Sequence, residues 1–369
     1  PCVDQTELGD VEAAGRQGAL RTKTGRFLPI AARLGGGLVR GVYRRVVEPY
    51  KCFTLSSSAR KLLLDIRPDL LHALRIPIEG EIAVRTGYLP FIQSVWGNDF
   101  TLFAARSRFH RCMSRRILAR VSGLLADCDA DLRRAEELGL PASVPVRKLP
   151  GNGGVQNHVF YRGVPTDFVW QKLGIKRGAP VIVNPRGVRP YVRNDTFFAA
   201  IPFVLASCPD AQFVAVNMRG LRAAEMSVRR YGAQGSVIVT DQLTQMEMAE
   251  LFRCSVLSVS AAEHDGTPNT LLEAMACGCL PVCGDLPSIR EWIIPGRNGL
   301  LFDPKSPGEL AQAILLGLSY RGLRERAAHI NEELIAKEAE YLKCMRQPRH
   351  SRRMTHLCSF RVTHTKNSV

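Results

Sequence analysis

Short apolar runs of strand length alternate with stretches of helical periodicity along most of the chain. The carboxyl-terminal half has such runs at 180–184, 212–216, 236–240, 256–260 and 280–283. The amino-terminal half has a predicted strand that begins at Leu70-Leu71, further strands at 91–95, 123–126 and 144–149, and helices at 59–66, 79–87 and 107–121. Strands that alternate with helices pair in parallel, so the pattern predicts α/β domains with doubly wound parallel sheets.

The length of the chain predicts two domains, because 369 residues are enough to form two separate hydrophobic cores. We predict an amino-terminal Rossmann-like domain over 1–175 and a carboxyl-terminal Rossmann-like domain over 176–342. The first domain looks truncated, since no opening strand with a Gly-rich loop is evident. Residues 150–155 are rich in glycine and are predicted to be the hinge. Residues 343–369 are predicted to be a disordered basic tail.

The turn after the apolar run 256–260 is the first candidate for chemistry. It leads into strong helix formers at 271–276. The first N–H groups of a helix lack intrahelical partners and carry the positive end of the dipole, so a phosphate binds well there. The predicted donor-binding residues in this turn are Gly266, Thr267, Pro268, Asn269, Thr270 and Leu271.

Two carboxylates, Asp265 and Glu273, bracket this turn. There is no Gly-Lys-Ser/Thr in it, so it is not a Walker A motif. An ionised carboxylate only accepts hydrogen bonds, and sugar hydroxyls are suitable donors. Phosphate and hydroxyl groups together indicate a sugar nucleotide; the alternative is an ordinary turn in which an acid stabilises the helix dipole.

A basic loop follows the predicted strand 180–184. It carries Arg186, Arg189 and Arg193, whose guanidinium groups can bind phosphate oxygens in a bidentate manner. The alternative is an exposed loop with no ligand.

These residues together resemble the retaining glycosyltransferases of family 4, which have the GT-B fold. The family has two Glu separated by seven residues, and here Asp265 and Glu273 occupy those positions. The likeness continues through 279–282, 289–293 and 296–304, and is specific over roughly 180–320. It implies two Rossmann-like domains facing a central cleft.

The resemblance also implies a mechanism. Arg186 and Arg193 would neutralise the departing diphosphate, Glu273 would hold the ribose and Asp265 the donor sugar. Transfer would retain configuration and need no cofactor and no metal; the nucleotide-diphosphate sugar is a substrate.

The acceptor side is predicted from polar residues at strand ends of the amino-terminal half, where ligands of parallel sheets bind. Asn98 and Asp99 follow the run 91–95, and His72 follows Leu70-Leu71. Family members carry a functional His where this chain has Trp96. Asp99 could instead cap the next helix, and His72 could be a hydrogen-bonded strand-end residue.

The formal net charge of +16 is uneven. Ten Lys/Arg against one acid lie in 21–61, and seven Lys/Arg without an acid lie in 343–369. Such charge could attract nucleic acid, but the sequence has no zinc-finger or RNA-binding pattern, so nucleic acid remains a minor alternative. No apolar run reaches the ~18 residues of a membrane span. A cytoplasmic protein is predicted, with peripheral contact of an anionic inner membrane face through the Gly-rich segment 27–47 as an alternative to a simple linker.

Two other functions remain open from the sequence. One is a sugar-nucleotide epimerase with the same fold. The other is a non-catalytic binding protein on a degenerate GT-B scaffold, since fold alone does not secure activity. The acceptor could be a glycan, a lipid-linked sugar or a small molecule.

Overall fold

The computed structural model describes residues 48–346. The predicted interfacial segment 27–47, and the tail from 347 onward, lie outside the described residues. The described residues fall into two units, 48–59 and 60–346, and every described strand lies in the second of them.

Ten strands and twelve α-helices make up the described part of the chain. The strands are β1 Leu71–Ala73, β2 Phe91–Val95, β3 Gly123–Ala126, β4 Val146–Lys148, β5 Val181–Asn184, β6 Gln212–Ala215, β7 Val237–Val239, β8 Leu257–Ser260, β9 Leu280–Gly284 and β10 Leu300–Phe302. The helices are α1 Glu48–Ile66, α2 Glu81–Thr86, α3 Arg108–Leu118, α4 Asp129–Glu137, α5 Asp167–Leu173, α6 Asn194–Ser207, α7 Arg222–Arg230, α8 Gln245–Cys254, α9 Asn269–Ala276, α10 Pro307–Ser319, α11 Arg321–Glu338 and α12 Tyr341–Arg346. None of these helices has the length and apolar character to cross a membrane.

The first lobe is the four-stranded parallel sheet, in the order β1-β2-β3-β4, with its helices. Residues of β2 alternate between buried and half-buried positions, and its core packs against the amphipathic helix α3. Ser107 caps α3 by accepting a hydrogen bond from the backbone N–H of His110. The strands follow one another in one direction, so the described part of this sheet has no point at which the strand order reverses.

The second lobe is the six-stranded parallel sheet, in the order β10-β9-β8-β5-β6-β7, with its helices. The chain builds outward from β5 to β7 and then restarts at β8 on the other side. This doubly wound order has its switch point between β5 and β8. Strands β5, β6 and β9 are buried throughout, because apolar helices cover both faces of the sheet and form two buried clusters.

The chain crosses between the lobes twice. After the first lobe, Val155 pairs with the segment at Glu340: its N–H donates to Ala339 O (2.7 Å) and its carbonyl accepts from Tyr341 N–H (2.9 Å). The last helix, α12, then returns to the first lobe, where the Arg147 guanidinium donates to the carbonyl of Cys344. Both crossings therefore run side by side.

Some elements differ from those expected from the sequence. The predicted helix 79–87 is a π-helical turn, Ile76–Gly80, followed by α2, and α1 begins earlier than 59. Strand β10 was not predicted, because only three residues between two turns form this edge strand. Residues 343–346, predicted as the start of a disordered tail, belong to α12 and are held by the contact to Arg147.

Candidate active site

The loops after β5 and β8 meet at the switch point of the second lobe. The first carries the three predicted arginines and the second carries Asp265. The two strands are hydrogen-bonded neighbours with their carboxyl ends at the same edge. This edge is where ligands of doubly wound sheets bind.

Arg186 joins the two loops. Its Nη2 lies 2.6 Å from Oδ2 of Asp265, and its Nη1 lies 3.4 Å from Oγ1 of Thr270 in the first turn of α9. The two charged side chains are only 12% and 14% exposed. Burial raises the pKa of Asp265, while the positive charge of Arg186 opposes that rise. The Nε of Arg186 is buried without a hydrogen-bond partner.

The side chains of two asparagines hold the backbone at Arg186 in place. The side-chain oxygen of Asn184, at the end of β5, accepts from Arg186 N–H (3.1 Å). The Asn184 amide donates to Asn194 (2.9 Å), which in turn donates to Gly187 O (2.9 Å). Gly187 has φ of +62°, a left-handed conformation that glycine adopts without strain. These bonds fix the loop as a tight turn over the sheet edge.

The other two arginines lie differently. Arg193 pairs with Asp195 at 2.6 Å and with Glu263 at 3.1 Å, so acids of this lobe already engage it. Arg189 is exposed, and its charge acts on Asp265 from a distance.

Glu273 lies one turn into α9, half-buried and without an ion pair or hydrogen bond to another described residue. Burial raises its pKa to about 7. A carboxylate in such an environment gains from hydrogen-bond donors supplied by a ligand.

The turn before α9 is in close contact with the first lobe. A Cβ added to Gly97 would lie 1.7 Å from the backbone nitrogen of Gly266, and a Cβ added to Gly266 would lie 2.3 Å from Oδ1 of Asp127. Thr267 donates its N–H to Asp127 Oδ2 (3.2 Å) and its hydroxyl to Asp127 O (2.7 Å). The two lobes therefore meet here with backbone against backbone.

Asp127 belongs to a buried acidic group with Cys128 and Asp131. Burial, and next the charge of Asp131, raise the pKa of Asp127 to about 8. One carboxylate oxygen of each acid is buried without a partner, and burial also raises the pKa of the Cys128 thiol. Within residues 48–346 this is the one group of three possible metal ligands, with its ligand atoms within 4.8 Å of one another.

The chemistry of this group favours a shared proton over a cation. Metals bind the thiolate, and burial raises the pKa of the Cys128 thiol, so a cation would have to displace its proton. Asp131 is also engaged by Arg134 at 3.2 Å. We assign the group a shared proton, and a metal-free site remains a prediction.

Glu291 of the second lobe accepts hydrogen bonds at the N-terminus of α4. Its two oxygens lie 2.9 Å from Asp129 N and 2.7 Å from Ala130 N. A carboxylate there also interacts favourably with the helix dipole. Glu291 therefore makes a second polar contact between the lobes.

The predicted acceptor residues lie close together in the first lobe. Asp99 is fully buried and accepts from the backbone N–H of Trp96 (3.1 Å) and Ile76 (3.4 Å); burial raises its pKa to about 6. Asn98 accepts from Arg75 at 2.8 Å. His72 is exposed and bonded to Ser94 at 2.8 Å. Asp99 therefore stabilises the turn after β2 through a hydrogen bond to the backbone of that turn, and a second hydrogen bond joins the turn to Ile76.

A cavity of about 590 Å³ opens beside Asp265. The first lobe lines it with the turn that includes Phe100 and Thr101 and with side chains of α3 and α4. The second lobe lines it with 263–265 and 286–288. Of the predicted site residues, Asp265 lines this cavity, while Arg186, Arg193, Glu273 and Asp99 do not.

Two segments of the chain match families of known proteins. Residues 180–319 match the family described as glycosyl transferases group 1, and residues 36–127 match the family described as glycosyl transferase 4-like. Together the matched segments make up more than half of the chain. The two matches, over 140 and 92 of the 369 residues, support a group 1 glycosyl transferase.

Individual group 1 relatives are distant. TuaC of Bacillus subtilis, provisionally named a teichuronic acid biosynthesis glycosyltransferase, is 25% identical over 260 residues, which are 68% of this chain and 61% of that protein. The match thus spans less than two thirds of that relative.

Solved structures with a similar fold include HepE of Anabaena in complex with UDP and glucose. It has a TM-score of 0.64 at 16% identity, over 79% of this chain and 78% of that chain. Sucrose-phosphate synthase of Thermosynechococcus elongatus has a TM-score of 0.65 at 15% identity, over 79% and 74%. The fold of this chain is GT-B, as the sequence resemblance implied.

The sequence did not point to three residues at or beside the contact between the lobes, Asp127 and Asp131 of the first lobe and Glu291 of the second. Asp127 directly follows β3 and so obeys the strand-end rule that pointed to Asp99. Asp131 gave no signal, because it looked like an ordinary charged residue of a helix, and the resemblance over 289–293 implied no role for Glu291.

Proposed function

We propose that this protein transfers a sugar from a nucleotide-diphosphate sugar to an acceptor hydroxyl, with retention of configuration and without a metal. The observation that carries the proposal is Arg186, held between Asp265 and Thr270 at the switch point. A buried guanidinium, a helix N-terminus and a carboxylate converge there, and these groups suit the phosphates and the hydroxyls of one ligand.

The donor diphosphate would bind Arg186, whose unpartnered Nε can donate to a phosphate oxygen. As the bond from the anomeric carbon to the phosphate oxygen breaks, negative charge develops on the diphosphate. Arg186 and the first N–H groups of α9 stabilise that charge because they are already oriented towards it. Arg193 would join them only by exchanging its contact with Glu263 for the ligand, and Arg189 would add positive potential.

Asp265 would hold hydroxyls of the donor sugar, and Glu273 those of the ribose. The acceptor oxygen bonds to the anomeric carbon on the face that the diphosphate leaves, and its proton passes to the departing phosphate. The contact between the lobes at Gly97 and Gly266 would keep water away from the reacting carbon.

A UDP-sugar is the donor we favour. HepE of Anabaena has been crystallised with UDP and with UDP-glucose, and it shares this fold. The two matched families and TuaC carry glycosyltransferase descriptions, which favour neither an epimerase nor a binding protein without catalysis.

The test is incubation of the purified chain with a panel of nucleotide sugars, with release of nucleoside diphosphate as the readout. We expect slow hydrolysis of at least one UDP-sugar, and loss of that hydrolysis in Glu273→Gln and Arg186→Gln. Arg219→Gln, which removes an exposed arginine that pairs with Asp241 and with no residue of the two loops, is the matched control. Tight UDP binding without turnover of any donor or acceptor would contradict the proposal and favour a binding protein.

A further inference from the structure

Two arginines of the cavity beside Asp265 have no partner among residues 48–346. Arg111 and Arg115 of α3 line it, and neither side chain has an ion pair or hydrogen bond with another described residue. They are four residues apart on a helix, so their side chains project from one face about 6 Å apart. Two guanidinium groups at that spacing can bind one oxyanion from both sides.

The acids of the second lobe that line this cavity are already neutralised within that lobe. Asp265 pairs with Arg186 at 2.6 Å, and Glu263 pairs with Arg193 at 3.1 Å and Lys305 at 3.7 Å. They therefore do not compensate the charge of α3.

The charges that the first lobe contributes are unequal. Arg134 is paired with Asp131 at 3.2 Å. Glu137, at the end of α4, also lines the cavity and forms no ion pair with a described residue. Two free positive groups against one free negative group leave the first-lobe side of the cavity with a positive excess.

We infer that the acceptor carries an anionic group, a phosphate ester or a carboxylate, which Arg111 and Arg115 bind. The inference rests on the proposed function, since it takes Asp265 to mark the donor sugar and the cavity beside it to receive the acceptor. Phe100 and Ala104 supply apolar surface for the body of such an acceptor.

The experiment measures binding of three small probes to the protein saturated with UDP: methyl phosphate, methyl glucuronide and neutral methyl glucoside. UDP keeps the phosphate probe out of the donor site, and the two anions distinguish the phosphate from the carboxylate. We expect at least one anion to bind about tenfold more tightly than methyl glucoside. Arg111→Gln/Arg115→Gln should abolish that preference.

Two further variants make the test specific. Arg120→Gln, which removes an exposed arginine just beyond α3, should leave the preference unchanged. Glu137→Gln should tighten anion binding, because it removes the one free negative charge of the cavity. This second variant keeps the inference testable if the double arginine variant does not fold.

Equal affinity for charged and neutral probes would overturn the inference. So would an equal loss in Arg120→Gln, which would indicate general attraction to a basic surface. UDP affinity is measured first and separately: a chain that does not bind UDP contradicts the proposed function. The anion probes are then applied to the free protein, and the comparison of Arg111→Gln/Arg115→Gln with Arg120→Gln decides the inference alone.

Discussion

Arg186 and Asp265 depend on each other more than any other charged residues of the site. Both are largely withdrawn from water, so removal of either leaves a buried charge without compensation. The spacing of Asp265 and Glu273, and the position of Arg186 after a strand, could be recognised in the sequence. The ion pair could not, because it joins loops 79 residues apart in the chain.

A double-mutant cycle tests this pair. Arg186→Gln and Asp265→Asn should each lower the free energy of unfolding by about 2–4 kcal/mol. The double variant should lose less than the sum, with a coupling of about 1–3 kcal/mol. Urea unfolding measures all four proteins. The exposed pair Arg290 and Asp285 is the control, and its coupling should stay under about 1 kcal/mol; additive losses at Arg186 and Asp265 would contradict the prediction.

The pKa of Glu273, about 7, makes nucleotide binding depend on pH. The ionised form accepts charge-assisted hydrogen bonds at both oxygens, so protonation weakens its hold on ribose hydroxyls. We expect UDP affinity to fall about tenfold from pH 8 to pH 6. Calorimetric titration of the wild type and of Glu273→Gln separates this from the titration of UDP itself, which both share. Identical pH profiles would show that Glu273 does not bind the ribose.

At the scale of elements, the pattern of apolar residues decided which strands could be predicted from the sequence. Strands β2 and β3 lie where they were predicted, because buried central strands leave a clear run of apolar residues. Strand β10 escaped notice since a three-residue edge strand has no periodicity. The turn from β3 into α4 escaped too, because the burial of Asp127 depends on the other lobe.

That turn should control how stability varies with pH. The pKa of Asp127 is about 8 in the folded protein and about 4 in the unfolded chain. Below pH 4 the carboxyl is neutral in both states. As pH rises towards 8 the unfolded chain loses its proton first, so this stabilising contribution is lost progressively.

Asp127→Asn, which resembles the protonated form, should flatten the fall of the melting temperature between pH 5 and pH 9. Asp129→Asn, in the same turn but exposed and paired with Lys148, is the control and should leave the slope unchanged. Parallel curves for the wild type and Asp127→Asn would contradict the assignment.

At the scale of the whole molecule, two glycines allow the lobes to meet. Sequence analysis predicted two facing domains but not their contact, because a glycine in a loop has many possible roles. There is no room for a side chain at either glycine: a Cβ at Gly97 would enter the backbone at Gly266, and a Cβ at Gly266 would enter the side-chain carboxylate of Asp127.

Gly97→Ala should therefore hold the lobes apart. We expect a larger radius of gyration in X-ray scattering with UDP present, and donor hydrolysis reduced by about tenfold or more because the site no longer closes. Gly235→Ala, where a Cβ has open space, should behave like the wild type. An unchanged scattering profile for Gly97→Ala would mean that the contact is not required.

The paired crossings at Val155 and Glu340 have a consequence for experiments that divide this protein into its two lobes. If the chain were divided between the two sheets, α12 would stay with the carboxyl-terminal half. It would then lose its contact with Arg147, which belongs to the amino-terminal half. The amino-terminal lobe therefore keeps all of its contacts only if the segment 339–346 is expressed with it. A soluble amino-terminal half would need the segment 339–346 grafted on behind residue 155, and a plain deletion series would report misfolding where it meant to report function.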